Sequence, residues 1–297
     1  MNVDERAEAL CTAPTGCAFL LTIEGNAISP EIAARPDVAF HVAAVALNET
    51  DRWRTDHTAV ITLALEQGPR LIDLAREILR QPEAAWWFAP VDRAAQWVIL
   101  RPEQEFSPEC VHTPASPPTS WERYAQKPEG AAYTSTAMGN TCGTLAAIEH
   151  LAVDYYPVPP IGRVQMRALP RARVCEIDGP RAWHALAAHY SATDERGALV
   201  PDWGLVASDW DAVHLTLGGL LTADQVRMES DAGWTELNGW PPEQTVWLRW
   251  CFESEERLPD LDEPPPPPLP LDRPLSLWPR RPELPVLWLP RRGASDR

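Results

Sequence analysis

The sequence predicts an α+β protein, on three observations. The first ninety or so residues carry apolar side chains at helical spacing, the stretch from Trp97 to Phe252 mixes short strand-like runs with isolated helices, and from Arg257 the composition turns to proline. The expected organisation is a small helical domain over 1–93, a mixed, mainly antiparallel, Trp-rich α+β domain over 94–257, and a disordered Pro-rich tail over 258–297.

In the helical part, Ser29-Pro30-Glu31 has the form of a helix start, with Ser as N-cap and Pro in the first turn. Asp37 opens Val38–Leu47, apolar on most faces and so expected to be buried. Asp56-His57 begins a helix over Thr58–Glu66 that Gly68-Pro69 should stop. Leu71, Leu74, Ala75, Ile78 and Leu79 then follow the i, i+3, i+4, i+7, i+8 spacing of an amphipathic helix, ended by Pro82. A helical bundle with short connections results.

Gln96–Leu100 reads as a strand, followed by a Pro/Ser-rich loop from Pro102 to Ser120. Further strands are expected at Tyr133–Thr136, Val174–Ile177, Val213–Leu217 and Thr245–Phe252, with Asp178-Gly179-Pro180 capping a helix over Arg181–Tyr190. No regular βαβ rhythm appears, which disfavours a doubly wound sheet. In the tail, Pro264–Pro268 run consecutively, and Leu277-Trp278-Pro279-Arg280-Arg281 and Leu287-Trp288-Leu289-Pro290-Arg291-Arg292 form a loose repeat. Such a segment is expected to be extended, and a Trp-Pro-Arg peptide can dock on an aromatic groove of a partner.

The chain has 297 residues and a net charge of −16. Phosphate contacts need clustered Lys/Arg, and no such cluster precedes residue 250, so coating of nucleic acid or of an anionic membrane surface is not expected. Lys127 is the only lysine, which with the high alanine and proline content fits the codon bias of a GC-rich, bacterial-type genome. The N-terminus is acidic where a secretory signal is basic and then apolar, and no run of about 18 apolar residues exists. The six cysteines are scattered, with no C-x-x-C pair, as expected of reduced thiols. A soluble, acidic, cytoplasmic protein is the expectation.

Dinucleotide and P-loop glycine motifs are absent, as are G-x-S-x-G and H-E-x-x-H. Asp209-Trp210-Asp211-Ala212-Val213-His214 offers two carboxylates and an imidazole, but at loose spacing. Two turn aspartates beside a strand histidine is the plainer reading, and no metal is expected.

Seven of the fourteen tryptophans lie between Trp183 and Trp250. Taken as one strand, Thr245–Phe252 puts Val246, Leu248, Trp250 and Phe252 on a core face. Thr245, Trp247, Arg249 and, by extension, Glu243 fall on the other, which either lines a cleft or faces solvent with Arg249 stacked on Trp247. His214 and Thr216 share a face of Val213–Leu217, ahead of Gly218-Gly219, where a backbone could approach a ligand closely. Tyr133 and Ser135 share a face of Tyr133-Thr134-Ser135-Thr136.

A strand of the type aromatic-Thr-Ser-Thr, with a glutamate much later at the start of a Trp-rich strand, resembles the layout of ADP-ribosyltransferases of the Arg/Ser-Thr-Ser/Glu type. The resemblance spans residues 95–255. It implies an enzyme that transfers ADP-ribose from NAD, or hydrolyses NAD. Ser135 would buttress the site, and Glu243 would hold the nicotinamide ribose as an oxocarbenium-like centre develops. Arg101, with Arg123 nearby, would hold the NAD phosphates. Tyr133 or Trp247 would stack on nicotinamide, and Thr134, Thr136 and His214 would complete the cofactor site. Two residues before Glu243, where the family commonly carries Gln or Glu, this chain has Pro241.

Two other functions fit the residues. One is a non-catalytic interaction or scaffold protein that uses the helical domain and the Trp-Pro-Arg tail. The other is a small-molecule enzyme with His214 or Cys251 as base or nucleophile, although Cys251 reads better as packed within a strand.

Overall fold

The computed structural model describes residues 1–50, 57–101, 104–150, 159–263 and 265–271. Five helices open the chain: α1 (Val3–Thr12), α2 (Pro14–Gly25), α3 (Pro30–Ala33), α4 (Pro36–Glu49) and α5 (His57–Leu79). Asn2 and Glu5 cap α1 reciprocally, each side chain accepting the other's backbone N–H, and Ser29 accepts the N–H of Ile32 to cap α3 as its sequence predicts. α2 is buried from Pro14 to Ile23 and forms the centre of this layer, with α4 and α5 against it.

The Gly68-Pro69 pair does not stop α5, which runs straight through it. Gly68 sits where α5 crosses α1, and a Cβ there would lie 2.0 Å from the carbonyl oxygen of Cys11. Pro69 removes one bond to the carbonyl of Leu65, on an exposed face of the helix where water can replace it. Packing against α1 therefore outweighs the local penalty. A 3₁₀ segment, Pro82–Phe88, then tucks Trp87 edge-on against Phe19, ring centroids 5.4 Å apart.

The rest of the chain alternates β1 (Gln96–Leu100), α6 (Ser120–Ala125), β2 (Ala132–Thr136), α7 (Gly143–His150), β3 (Ile161–Ala168), β4 (Val174–Ile177) and α8 (Pro180–His189). It continues with β5 (Ser191–Thr193), β6 (Leu199–Pro201), α9 (Trp203–Asp209), β7 (Ala212–Leu215), α10 (Leu217–Ala223), β8 (Arg227–Ser230), β9 (Gly233–Glu236), β10 (Gln244–Trp247) and β11 (Phe252–Leu261). Seven strands form one sheet in the order β11-β3-β1-β2-β10-β7-β4. Every pair is antiparallel except β4 with β7, so the fold is α+β with a mixed, mainly antiparallel sheet. Two small hairpins, β5–β6 and β8–β9, stand beside it.

Several sequence expectations shift. The stretch Thr245–Phe252 is two strands, β10 and the start of β11, separated by a turn. Val213–Leu217 ends as a strand at Leu215, because Thr216 accepts the N–H of Gly219 and caps α10. β11 carries the sheet past residue 257 to Leu261, and Leu269 and Leu271 pack on the helical cluster, so the tail is ordered to 271 rather than free from 258. The Trp278 and Trp288 repeats lie outside the described residues.

The helical and sheet parts share their packing, since Leu217 and Leu221 of α10 join the core of α1–α5. On one sheet face Trp183, Trp203 and Trp240 pack with Val213, Leu215 and Val246. The opposite face buries Trp247 and Phe252 against Val98, Val164 and Met166. No helix among the described residues is long and apolar enough to cross a membrane.

Candidate functional site

Strand register places polar side chains in a row across the face that Trp247 shares. Thr134 of β2, Thr245 of β10, His214 of β7 and Glu176 of β4 are successive cross-strand partners, and Gln96 of β1 lies opposite Thr136. Directly opposite residues on adjacent strands have neighbouring side chains, so the row is a consequence of register.

Glu243 reaches over this row from the turn before β10. Its backbone is left-handed, φ 56°, a conformation costly for a side-chain-bearing residue. Interactions on both sides of the residue hold it there. Its carbonyl accepts the Ser135 hydroxyl at 2.8 Å, and its carboxylate accepts the Thr136 N–H and the Thr136 hydroxyl, each at 2.8 Å. Beneath the turn, a Cβ on Gly143 would lie 1.3 Å from the Pro242 carbonyl oxygen, so only glycine permits this approach. Thr144, next in α7, donates its N–H to Ser135 at 3.2 Å.

His214 joins two carboxylates. Its Nε2 lies 3.1 Å from Glu243 Oε1 and its Nδ1 2.5 Å from Glu176 Oε2. Only an imidazolium can donate from both nitrogens. Burial opposes the charge, but the hydrogen bonds and fields of Glu176 and Glu243 outweigh it and raise His214 to about 9. Glu243 and His214 side chains are each 3% exposed, whereas Glu176 is 30% exposed and also accepts the Val91 N–H. The net negative charge of the trio is therefore left at its wet end.

The hydrogen bonds form one directed chain. Trp247 Nε1–H donates to the Thr134 hydroxyl, Thr134 to Gln96 Oε1, the Gln96 amide nitrogen to Thr136 Oγ1, and Thr136 to Glu243. From the other side His214 donates to Glu243 and Glu176. Every donor runs toward a carboxylate, which fixes the Gln96 amide orientation and the protonation of His214 together.

Of the residues singled out in the sequence, Ser135, Thr136, His214 and Glu243 meet directly, and Thr134 and Trp247 join them through Gln96. The face carrying Glu243, Thr245 and Trp247 lines neither a cleft nor solvent. Thr245 and Trp247 are fully buried, Trp247 packs on Phe252 at 4.8 Å, and Arg249 turns to Asp211 instead of stacking on Trp247. Tyr133 points to the opposite face, where its hydroxyl donates to the Pro128 carbonyl. Arg101 is exposed, beyond the far end of β1, whereas the Gln96 end of that strand adjoins Thr136. Five residues of strand separate it from the cluster, about 17 Å, so it does not reach Glu243. Gly218 and Gly219 approach the chain's own core, where added Cβ atoms would lie 2.3 Å from the Phe88 ring and 2.1 Å from the Ile177 carbonyl oxygen.

Sequence reading missed Gln96, Glu176, Thr144 and Gly143. A signal existed for the first two, each a polar residue within an otherwise apolar strand; none existed for the other two. Asp209, Asp211 and His214 do not converge, since Asp209 accepts from Tyr190 and Asp211 pairs with Arg173 and Arg249. Among the described residues no group of three His, Cys, Asp or Glu side chains is arranged to hold a metal ion. All six cysteines are free; burial raises Cys251, and raises Cys142 to about 12, which makes both poor nucleophiles.

A groove of about 650 Å³ runs between the start of α4, the β2–α7 loop and Pro265–Pro268, and none of the cluster residues lines it. Chemically, the cluster is a desolvated ion pair whose polar groups, except the buried and unpartnered Thr245 hydroxyl, are bonded to one another, a brace across β1, β2, β10, β7 and β4. Compared with known protein families, with curated proteins and with solved structures, the chain matches none.

Proposed function

We propose that this chain is a non-catalytic protein-interaction protein, in which the Glu176–His214–Glu243 row is a structural brace. The supporting observation is the state of Glu243, 3% exposed and with its carboxylate already accepting from Thr136 and His214. A carboxylate that steadies a developing oxocarbenium charge must face the ligand with an open oxygen, and Glu243 faces its own sheet. The partner that suits the surface is a basic protein. The net charge is −16, and the edge strand β11 exposes Glu253, Glu255, Glu256 and Asp260 on a ladder whose other side carries no strand among the described residues.

The NAD-transferase reading keeps one supporting observation, the Ser135 hydroxyl buttressing Glu243. Thermal melts with millimolar NAD separate the two, because a ligand that binds the native state alone raises Tm by mass action. The interaction reading expects no shift and no release of nicotinamide; a clear upward shift with turnover overturns it. It further expects that a partner recovered with the intact chain is lost to the charge reversal Glu253→Lys/Glu255→Lys/Glu256→Lys.

A further inference from the structure

Beyond β11 the chain is anchored twice. Leu261 packs on the cluster of Trp97, Leu145 and Ile161, and further on Leu269 and Leu271 pack on the core of α1–α5. Between these anchors Pro265–Pro268 form one wall of the groove of about 650 Å³. Met138, Leu145 and Ala146 form a second wall, and Arg35–Asp37 at the start of α4 a third. The loop that carries Met138 is fixed, since its N–H donates to the Thr141 carbonyl at 2.9 Å across Gly139, whose φ of 67° is left-handed. The α4 wall is fixed as well, with the Arg35 guanidinium donating to Asp37 at 2.7 and 3.2 Å.

These walls suit an indole. A proline ring has no rotamer to lose and its φ is fixed, so four in succession give a rigid apolar surface. Half-buried Met138 adds a polarisable thioether, which packs favourably against aromatic rings. Asp37, Asn140 and Thr141 bring acceptor oxygens to the rim, as the N–H of a tryptophan requires. The volume falls within the range of roughly 300–1,000 Å³ found for sites that enclose a compact ligand.

The chain carries such a side chain within reach. The 26 residues after Leu271 include Leu277-Trp278-Pro279-Arg280-Arg281 and the later Leu287-Trp288-Leu289-Pro290-Arg291-Arg292. Six arginines against Asp272, Glu283 and Asp296 give this segment a side-chain charge of +3, which leaves −19 on residues 1–271 of the total of −16. We propose that the groove is the docking site of the chain's own C-terminal segment, with the Trp278 indole seated against Pro265–Pro268 and Met138. Trp278 is ten residues from Pro268, so its return closes a short loop, and a tether of that length gives an effective concentration of about millimolar. A second copy or a free peptide has no such advantage. Docking occupies the Trp-Pro-Arg motif within the molecule, and it holds whether or not the chain binds a basic partner.

The test digests the full native chain briefly with trypsin and follows two bonds by mass spectrometry, Arg280–Arg281 within the docked motif and Arg292–Gly293 beyond it. A synthetic peptide of residues 272–297 gives the ratio of the two rates when nothing is docked. Cleavage of a segment that opens and closes rapidly tracks its open fraction, so the Arg280 bond, measured against Arg292, should be cut about tenfold or more slowly in the protein than in the peptide. A ratio equal to the peptide's overturns the docking. Trp278→Ala should restore the peptide's ratio, and so should Asn140→Trp, which fills the groove from an exposed position. Protection that survives Trp278→Ala overturns the anchor, and protection that survives Asn140→Trp overturns the groove. Trp288→Ala should leave protection intact; its loss there overturns the choice of Trp278. Protection should not change on dilution from roughly 100 μM to roughly 1 μM, because the tether fixes the local concentration. Protection that weakens on dilution makes a second copy's tail the occupant and overturns the intramolecular site.

Discussion

Replacing Glu243 by Gln keeps its shape and removes its charge, and the geometry sets how much stability goes with it. His214 is raised from 6.5 to about 9, which corresponds to about 3 kcal/mol of preferential stabilisation of the imidazolium in the folded protein. That stabilisation comes from the two carboxylates, of which Glu243 is the fully desolvated one, and the Gln side chain can still accept one of the Thr136 bonds. The expected cost of Glu243→Gln is about 2–3 kcal/mol under mildly acidic conditions, a large fraction of a typical domain's stability. The sign of the pH dependence follows from the raised pKa. The contribution is fully present below about 6.5, declines between about 6.5 and 9, and is absent above that. Urea unfolding monitored by tryptophan fluorescence at about pH 6 and about pH 9.5 should show the difference between parent and variant shrinking to about 1 kcal/mol or less at the higher pH. A pH-independent difference, or one below about 0.5 kcal/mol at the lower pH, would refute the imidazolium bridge.

Gly143→Ala should lower stability by about 3 kcal/mol or more, since its Cβ meets the Pro242 carbonyl oxygen and the Glu243 turn must move; an unchanged melting temperature would show that the turn is not held as described. Trp247→Phe removes the donor to Thr134 and should cost about 1–2 kcal/mol in urea titrations, with the m-value unchanged; no loss would mean that bond is unimportant. Thiol titration of the native protein at neutral pH should give one prompt equivalent, from exposed Cys110, and all six only after unfolding. Prompt reaction of Cys142 or Cys17, both buried and raised to about 12, would contradict the packing of α2 and α7.

Much of the fold was legible because it rests on local periodicity and capping. Ser29-Pro30 did start a helix, Arg181–Tyr190 was nearly the whole of α8, and Gln96–Leu100 and Val174–Ile177 were strands to the residue. One failure came where tertiary contact overrode a local rule, at Pro69, which α5 passes through, and another where a local cap was missed, at Thr216, which accepts the Gly219 N–H and starts α10. β3 and β11 went unread because Arg163, Gln165 and the acidic run Glu253–Glu256 disguise strands whose exposed faces are charged.

The sequence by itself determined the α+β class, the acidic surface and which residue types alternate along each strand, since all of these are properties of neighbouring residues or of the total composition. Whether Glu243 looks into a cleft or into protein was decided only by the tertiary structure. Its partner Thr136 lies 107 positions earlier and His214 29 earlier, and register across β2, β10, β7 and β4 brings them together. Alternation says which side chains share a face, but what covers that face depends on contacts between distant segments, and here they close over Glu243.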